Sequence, residues 1–101
     1  MKLFPNTVNA VVKALEEIFD NNRYADKVIE KVLRSNPKWG ARDRAFIAES
    51  VYEIVRWKRL IEKLSPSNDY YQWFGTYWVL QDRTLPDWRE FKGINGEKIR
   101  H

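Results

Sequence analysis

From Gly40 to Leu64 the chain reads GARDRAFIAESVYEIVRWKRLIEKL, its longest helical pattern, and the apolar residues do not stay on one side of it. On a 3.6-residue helix, Ala41, Ile47, Ala48, Val51, Tyr52, Ile54 and Val55 fall on one broad face. Arg42, Glu49, Glu53 and Arg56 fall opposite. From Trp57 onward the apolar residues Trp57, Leu60, Ile61 and Leu64 occupy a face rotated by well over a quarter turn. One straight helix cannot bury both stripes against one neighbour. A break or kink is therefore expected near Arg56–Lys58, with the other segments packed around this stretch.

Arg44 lies on the apolar side of the first half, between the positions of Ile47 and Val51. An unpaired buried charge is strongly unfavourable, so its guanidinium must be paired or must cap the carbonyls of a neighbouring helix. Asp43 falls in the first turn if Gly40 is the N-cap, where the helix dipole favours an acid. Asp43 and Arg44 are read as a structural buried charge rather than as a grip on RNA.

The remaining pattern is helical as well. Pro5-Asn6-Thr7 starts a helix with Asn6 or Thr7 as N-cap, and Val8, Val11, Val12, Leu15, Ile18 and Phe19 recur on one face. Asp20-Asn21-Asn22 ends it. A second helix runs from about Tyr24 to Arg34, with Ala25, Val28, Ile29, Val32 and Leu33 inward. Pro37 stops it, and Trp39 is expected to fold back onto the core. After the Ser65–Asn68 break a further helix spans Asp69 to Gln81, capped by Ser67 or Asn68. It carries Tyr70, Trp73, Phe74, Tyr77 and Trp78, and Gly75 within it allows close approach. Pro86 to Phe91 reads as a short helix. Gly93 to His101 reads as a loop or linker. No segment alternates like a strand. The fold class is all-α, a bundle of four to five helices.

At 101 residues the chain is one domain by length. It has no cysteine, which excludes disulfides, thiolate metal sites and cysteine nucleophiles. Its one histidine is terminal, so a histidine-based triad or metal site is not available. No signal core or membrane-length apolar run is present, so a cytoplasmic protein without membrane contact is expected. A net charge of +4 and a pI near 9.4 permit an anionic partner without requiring one.

Three constellations could carry function. Arg34, Lys38, Arg42, Arg56, Lys58, Arg59 and Lys63 could neutralise phosphates; as ordinary surface, they would pair locally with acids such as Glu49, Glu53 and Glu62. The aromatics Tyr70, Tyr71, Trp73, Phe74, Tyr77, Trp78, Trp88 and Phe91 could stack on bases, but helical spacing favours a core. No paired carboxylates, phosphate loop or metal-ligand spacing supports enzyme chemistry. A DNA-binding helix-turn-helix fits poorly, because Arg44 turns inward while Glu49 and Glu53 face out.

The stretch ADKVIEKVLRSNPKWGARDRAFIAESVYEIVRWKRLIEKL, from Ala25 to Leu64, resembles the NusB-like N-terminal domain of bacterial rRNA cytosine-5 methyltransferases of the RsmB (Sun, Fmu) type. The resemblance rests on Ala25, Asp26, Val28 and Val32, on Ala41 to Phe46, on Val51, Tyr52, Val55 and Arg56, and on Leu60. It implies a NusB-like helical domain over residues 1–92, with 93–101 as a tail. It further implies rRNA as partner and a C-terminal methyltransferase domain that binds S-adenosylmethionine and is absent from this chain. The chain is then expected to be a non-catalytic RNA-binding or positioning module, without cofactor of its own and lacking a terminal helix. The N-terminus lacks the arginine-rich stretch of antitermination proteins sharing that fold, which argues against such a factor. The alternative is a protein-interaction domain that docks on its catalytic domain, or self-associates, through exposed aromatics after Tyr70.

Overall fold

A computed structural model describes residues 2–100, the last for its backbone only; His101 of the expected tail lies outside them. The described residues form six α-helices and one 3₁₀ helix, with no strand: α1 Pro5–Phe19, α2 Ala25–Ser35, α3 Ala41–Arg56, α4 Lys58–Leu64, α5 Tyr70–Leu80, η1 Arg89–Phe91 and α6 Gly96–Arg100. The all-α class is therefore as read, with more helices than the four to five expected. The chain divides into two compact units that meet in sequence between Arg56 and Trp57. That boundary is the expected break: Trp57 leaves helical geometry at φ −104°, ψ 25°.

In the first unit α1, α2 and α3 each touch the other two. Helix α1 begins earlier than expected, with Phe4 as N-cap and Pro5 in the first turn. Proline loses nothing there, since the first amides of a helix have no intrahelical acceptor. Asn6 is thereby released from capping, and its carboxamide oxygen accepts the Trp39 indole N–H at 2.9 Å. Eight of the fifteen α1 residues are buried, among them Val8, Val11, Ala14 and Leu15. Val28 and Ile29 of α2 complete the core with Phe46, Ile47, Ser50, Val51 and Ile54 of α3.

The α3 face differs from the expected one. Phe46 and Ser50 are buried, whereas Ala41 and Tyr52 are exposed. Residues 46, 47, 50, 51 and 54 form a narrow stripe set by the two partner helices, and Ser50 is small enough to sit in it. Tyr52 instead reaches sideways and donates its hydroxyl to the Asp26 carboxylate of α2.

In the second unit α5 is the centre: α4, η1 and α6 all contact it, and Gln72 to Val79 are buried without a break. Its N-cap is Asp69, which accepts the Tyr71 amide at 2.8 Å, rather than Ser67 or Asn68. The Ser65 hydroxyl donates to the Ile61 carbonyl at 2.6 Å and lies 3.0 Å from the fully buried Thr76 hydroxyl. Phe74 stacks on Trp78 at 5.7 Å and on Phe91 at 6.1 Å, and Phe91 stacks on Trp88 at 5.4 Å. A Cβ on Gly75 would collide with the δ-methyl of Ile94 and stand 3.1 Å from Phe91, so the missing side chain is what admits the tail.

That tail is not a linker. Gly93 turns the chain at φ +93°, a region glycine enters without penalty. Asn95 then accepts the Ile99 amide at its carbonyl and the Lys98 amide at its side chain, which starts α6. Ile99 is buried, and α6 lies against α5. The Pro86–Phe91 segment is shorter than expected, with only Arg89–Phe91 helical. In α4 Ile61 is buried, while Trp57 and Leu60 remain 49% and 44% exposed, so the second apolar stripe is only partly covered.

Candidate nucleic-acid interface

The C-terminus of α2 and the N-terminus of α3 make a corner whose geometry is set by side chains. The last carbonyls of a helix lack intrahelical donors. The Ser35 hydroxyl donates to the Val32 carbonyl at 2.5 Å, and Arg44 Nη1 donates to the Leu33 carbonyl at 3.1 Å. Arg44 therefore caps a neighbouring helix, one of the two options its position allowed. It is half-buried rather than buried, and so is Asp43, so the expected buried charge keeps partial access to water. The guanidinium also opposes the negative end of the α2 dipole.

Between the helices, Asn36 holds a tight turn. Its side chain accepts the Lys38 amide at 3.1 Å and its carbonyl accepts the Trp39 amide at 3.3 Å. Gly40 then serves as N-cap, because its carbonyl accepts the Arg44 amide at 3.0 Å. Arg34, Lys38 and Arg42 all project exposed from this corner. Arg34 also forms an i,i+4 ion pair with Glu30 at 3.7 Å, and 71% of its side chain stays accessible. Pairs so exposed contribute little, so Arg34 remains available to a phosphate.

Of the rest of the predicted basic set, one residue lies on α3 and three belong to the second unit. Arg56 is exposed at the far end of α3, about 21 Å from Arg42 along the helix axis at 1.5 Å per residue. Lys58 is half-buried, 3.8 Å from Glu62 and 6.0 Å from the Trp73 ring centroid, within cation–π range. Arg59 and Lys63 are exposed on one side of α4, one turn apart, in the second unit. Within the first unit the predicted cations form a corner cluster and one distant residue, and within the second Lys58, Arg59 and Lys63 lie on α4.

The aromatic set offers no stacking platform. Trp73, Phe74, Tyr77, Trp78 and Phe91 are buried, and Tyr70, Tyr71 and Trp88 are half-buried. The alternative of docking through exposed aromatics after Tyr70 loses most of the surface it called for.

Sequence pattern does not single out Lys98, because the Gly93–His101 stretch that carries it reads as a loop or linker. Its signal lay in Ile94 and Ile99, two apolar anchors flanking an asparagine cap. Among the described residues no cluster of potential metal ligands occurs, and no helix is long and apolar enough to cross a membrane.

Fold and surface together define an all-α chain with a hydrogen-bonded, cation-bearing helix corner. No protein-family model, no curated protein and no solved structure matches the chain.

Proposed function

We propose that the chain is an RNA-binding or positioning module of an rRNA cytosine-5 methyltransferase, itself non-catalytic. It would act in the cytoplasm beside a separate catalytic domain that binds S-adenosylmethionine. The observation that carries the reading is the α2–α3 corner, where Arg34, Lys38 and Arg42 stand exposed on a turn held by Asn36 and Arg44. A corner already held by hydrogen bonds presents its cations to phosphates with little ordering left to do on binding, which keeps the entropic cost low. The resemblance of the Ala25–Leu64 stretch to the NusB-like domains supplies the choice of RNA and of the parent enzyme.

The test is a titration of the chain against a structured piece of small-subunit rRNA and a matched DNA duplex, at two salt concentrations. Salt-sensitive binding that prefers the RNA is expected, and changing Arg34, Lys38 and Arg42 together to alanine weakens it. Absence of binding at low salt, or unchanged affinity in the triple variant, overturns the reading.

A further inference from the structure

The second unit holds a cavity of about 370 Å³ whose lining carries cations and no acid. Lys63, Leu64 and Pro66 line it from the end of α4, and Asn95, Lys98 and Ile99 line it from the tail. The volume lies at the lower end for small-molecule sites. The two lysines come from elements far apart in sequence, and among the described residues neither has an ion-pair partner. The Asn95 carboxamide oxygen is already engaged by the Lys98 amide at 3.2 Å, which leaves its NH₂ group as a donor. The polar side chains of Lys63, Lys98 and Asn95 therefore offer donors to a ligand, beside an apolar wall of Leu64, Pro66 and Ile99.

The neighbouring open cleft, about 550 Å³, differs in kind: Asp69 and Glu90 stand in its lining beside Arg89 and Lys92, so its charges offset one another. Of these two, the smaller cavity is the one matched to an anion. Among biological anions, a phosphate group accepts several hydrogen bonds from diverging directions, and charge-assisted bonds to it are the strong ones.

We propose that this cavity binds the phosphate group of a nucleotide, in an RNA strand or free. Lys63 and Lys98 hold the phosphate oxygens, Asn95 donates a further hydrogen bond, and the apolar wall lies against the nucleoside.

Inorganic phosphate, a 5′-mononucleotide and the matching nucleoside are titrated into the full 101-residue chain while the amide resonances of Gly93, Asn95 and Ile99 are followed. Phosphate and mononucleotide are expected to shift these resonances saturably, the nucleotide more tightly, and the nucleoside is expected to leave them in place. The Lys63→Ala/Lys98→Ala pair weakens nucleotide binding about tenfold or more, whereas Lys63→Arg/Lys98→Arg retains it. Equal shifts with the nucleoside, or unchanged affinity in the alanine pair, overturn the proposal. Repeating the rRNA titration with the alanine pair separates the sources. Nucleotide binding without rRNA binding supports the cavity as a free-nucleotide site and removes the RNA-module reading. Binding of rRNA equal in wild type and alanine pair, with no nucleotide-induced shift, removes the cavity proposal and leaves that reading standing.

Discussion

Arg44 shows how one charged side chain on an inward-facing position finds its role from its surroundings. The Leu33 carbonyl at the end of α2 needs a donor and the guanidinium needs an acceptor, and the 3.1 Å contact serves both. A hydrogen bond to a charged group contributes more than a neutral one, and half-exposure reduces that here. Arg44→Ala is expected to destabilise the protein by about 1–2 kcal/mol. The corresponding fall in the thermal midpoint is roughly 5–10 °C for a chain of this size. A melt with an unchanged midpoint would show that water replaces the guanidinium without loss. Tyr52 makes a second link between the same helices. Its pKa is raised above the ordinary 10.0, chiefly by the hydrogen bond to Asp26, with smaller contributions from desolvation and from the Asp26 charge. A raised folded-state value means that the stabilisation is fully present below about pH 10 and is lost as pH rises through the folded value. Denaturant midpoints followed through that window are expected to fall more steeply for the wild type than for Tyr52→Phe. Parallel curves would show that the hydroxyl titrates alike in the folded and unfolded chain, so that the Asp26 bond does not raise its pKa.

At the scale of the element, α5 depends on what it omits. Gly75 lowers helix propensity, yet the absent Cβ is the space that Ile94 and Phe91 occupy. Alanine there gains about 1 kcal/mol of propensity, while overpacking costs about 1–3 kcal/mol. The net expectation for Gly75→Ala is a destabilisation of about 1 kcal/mol, read as a lower urea midpoint at unchanged slope. A midpoint at or above the wild-type value would mean that the Ile94 side chain turns aside freely. The tail shows the reverse relation. Helix α6 has only five residues, too few to persist alone, and it is formed because Asn95 starts it and Ile99 anchors it.

For the molecule as a whole, the predicted cations fall in two units that divide at Arg56–Trp57. Three of the predicted seven gather at the α2–α3 corner of the first unit, and Lys58, Arg59 and Lys63 belong to the second. If the corner meets three phosphates of single-stranded RNA, removing Arg34, Lys38 and Arg42 reduces the slope of log affinity against log salt by about 2. Substituting Arg56 alone, at the other end of α3, is expected to leave that slope nearly unchanged. A slope as sensitive to Arg56 as to the corner would place the RNA along the whole helix.

Helical class, the stop at Pro37, the break after Arg56 and the close approach at Gly75 were all legible in the sequence, because each follows from local geometry. Side-chain period, a missing amide donor, a rotated stripe and an absent Cβ act within a few residues, whatever the partner. The obligation on Arg44 was legible too, since burial of charge is unfavourable in any fold, although its acceptor was not. Tertiary contact alone decided the rest. It brought Phe46 and Ser50 inward and left Tyr52 outside. It folded Ile94 and Ile99 onto α5 and brought Lys63 and Lys98 to one cavity. The side a helix buries, and the cations that share a surface, are set by residues distant in sequence, and periodicity carries no information about those.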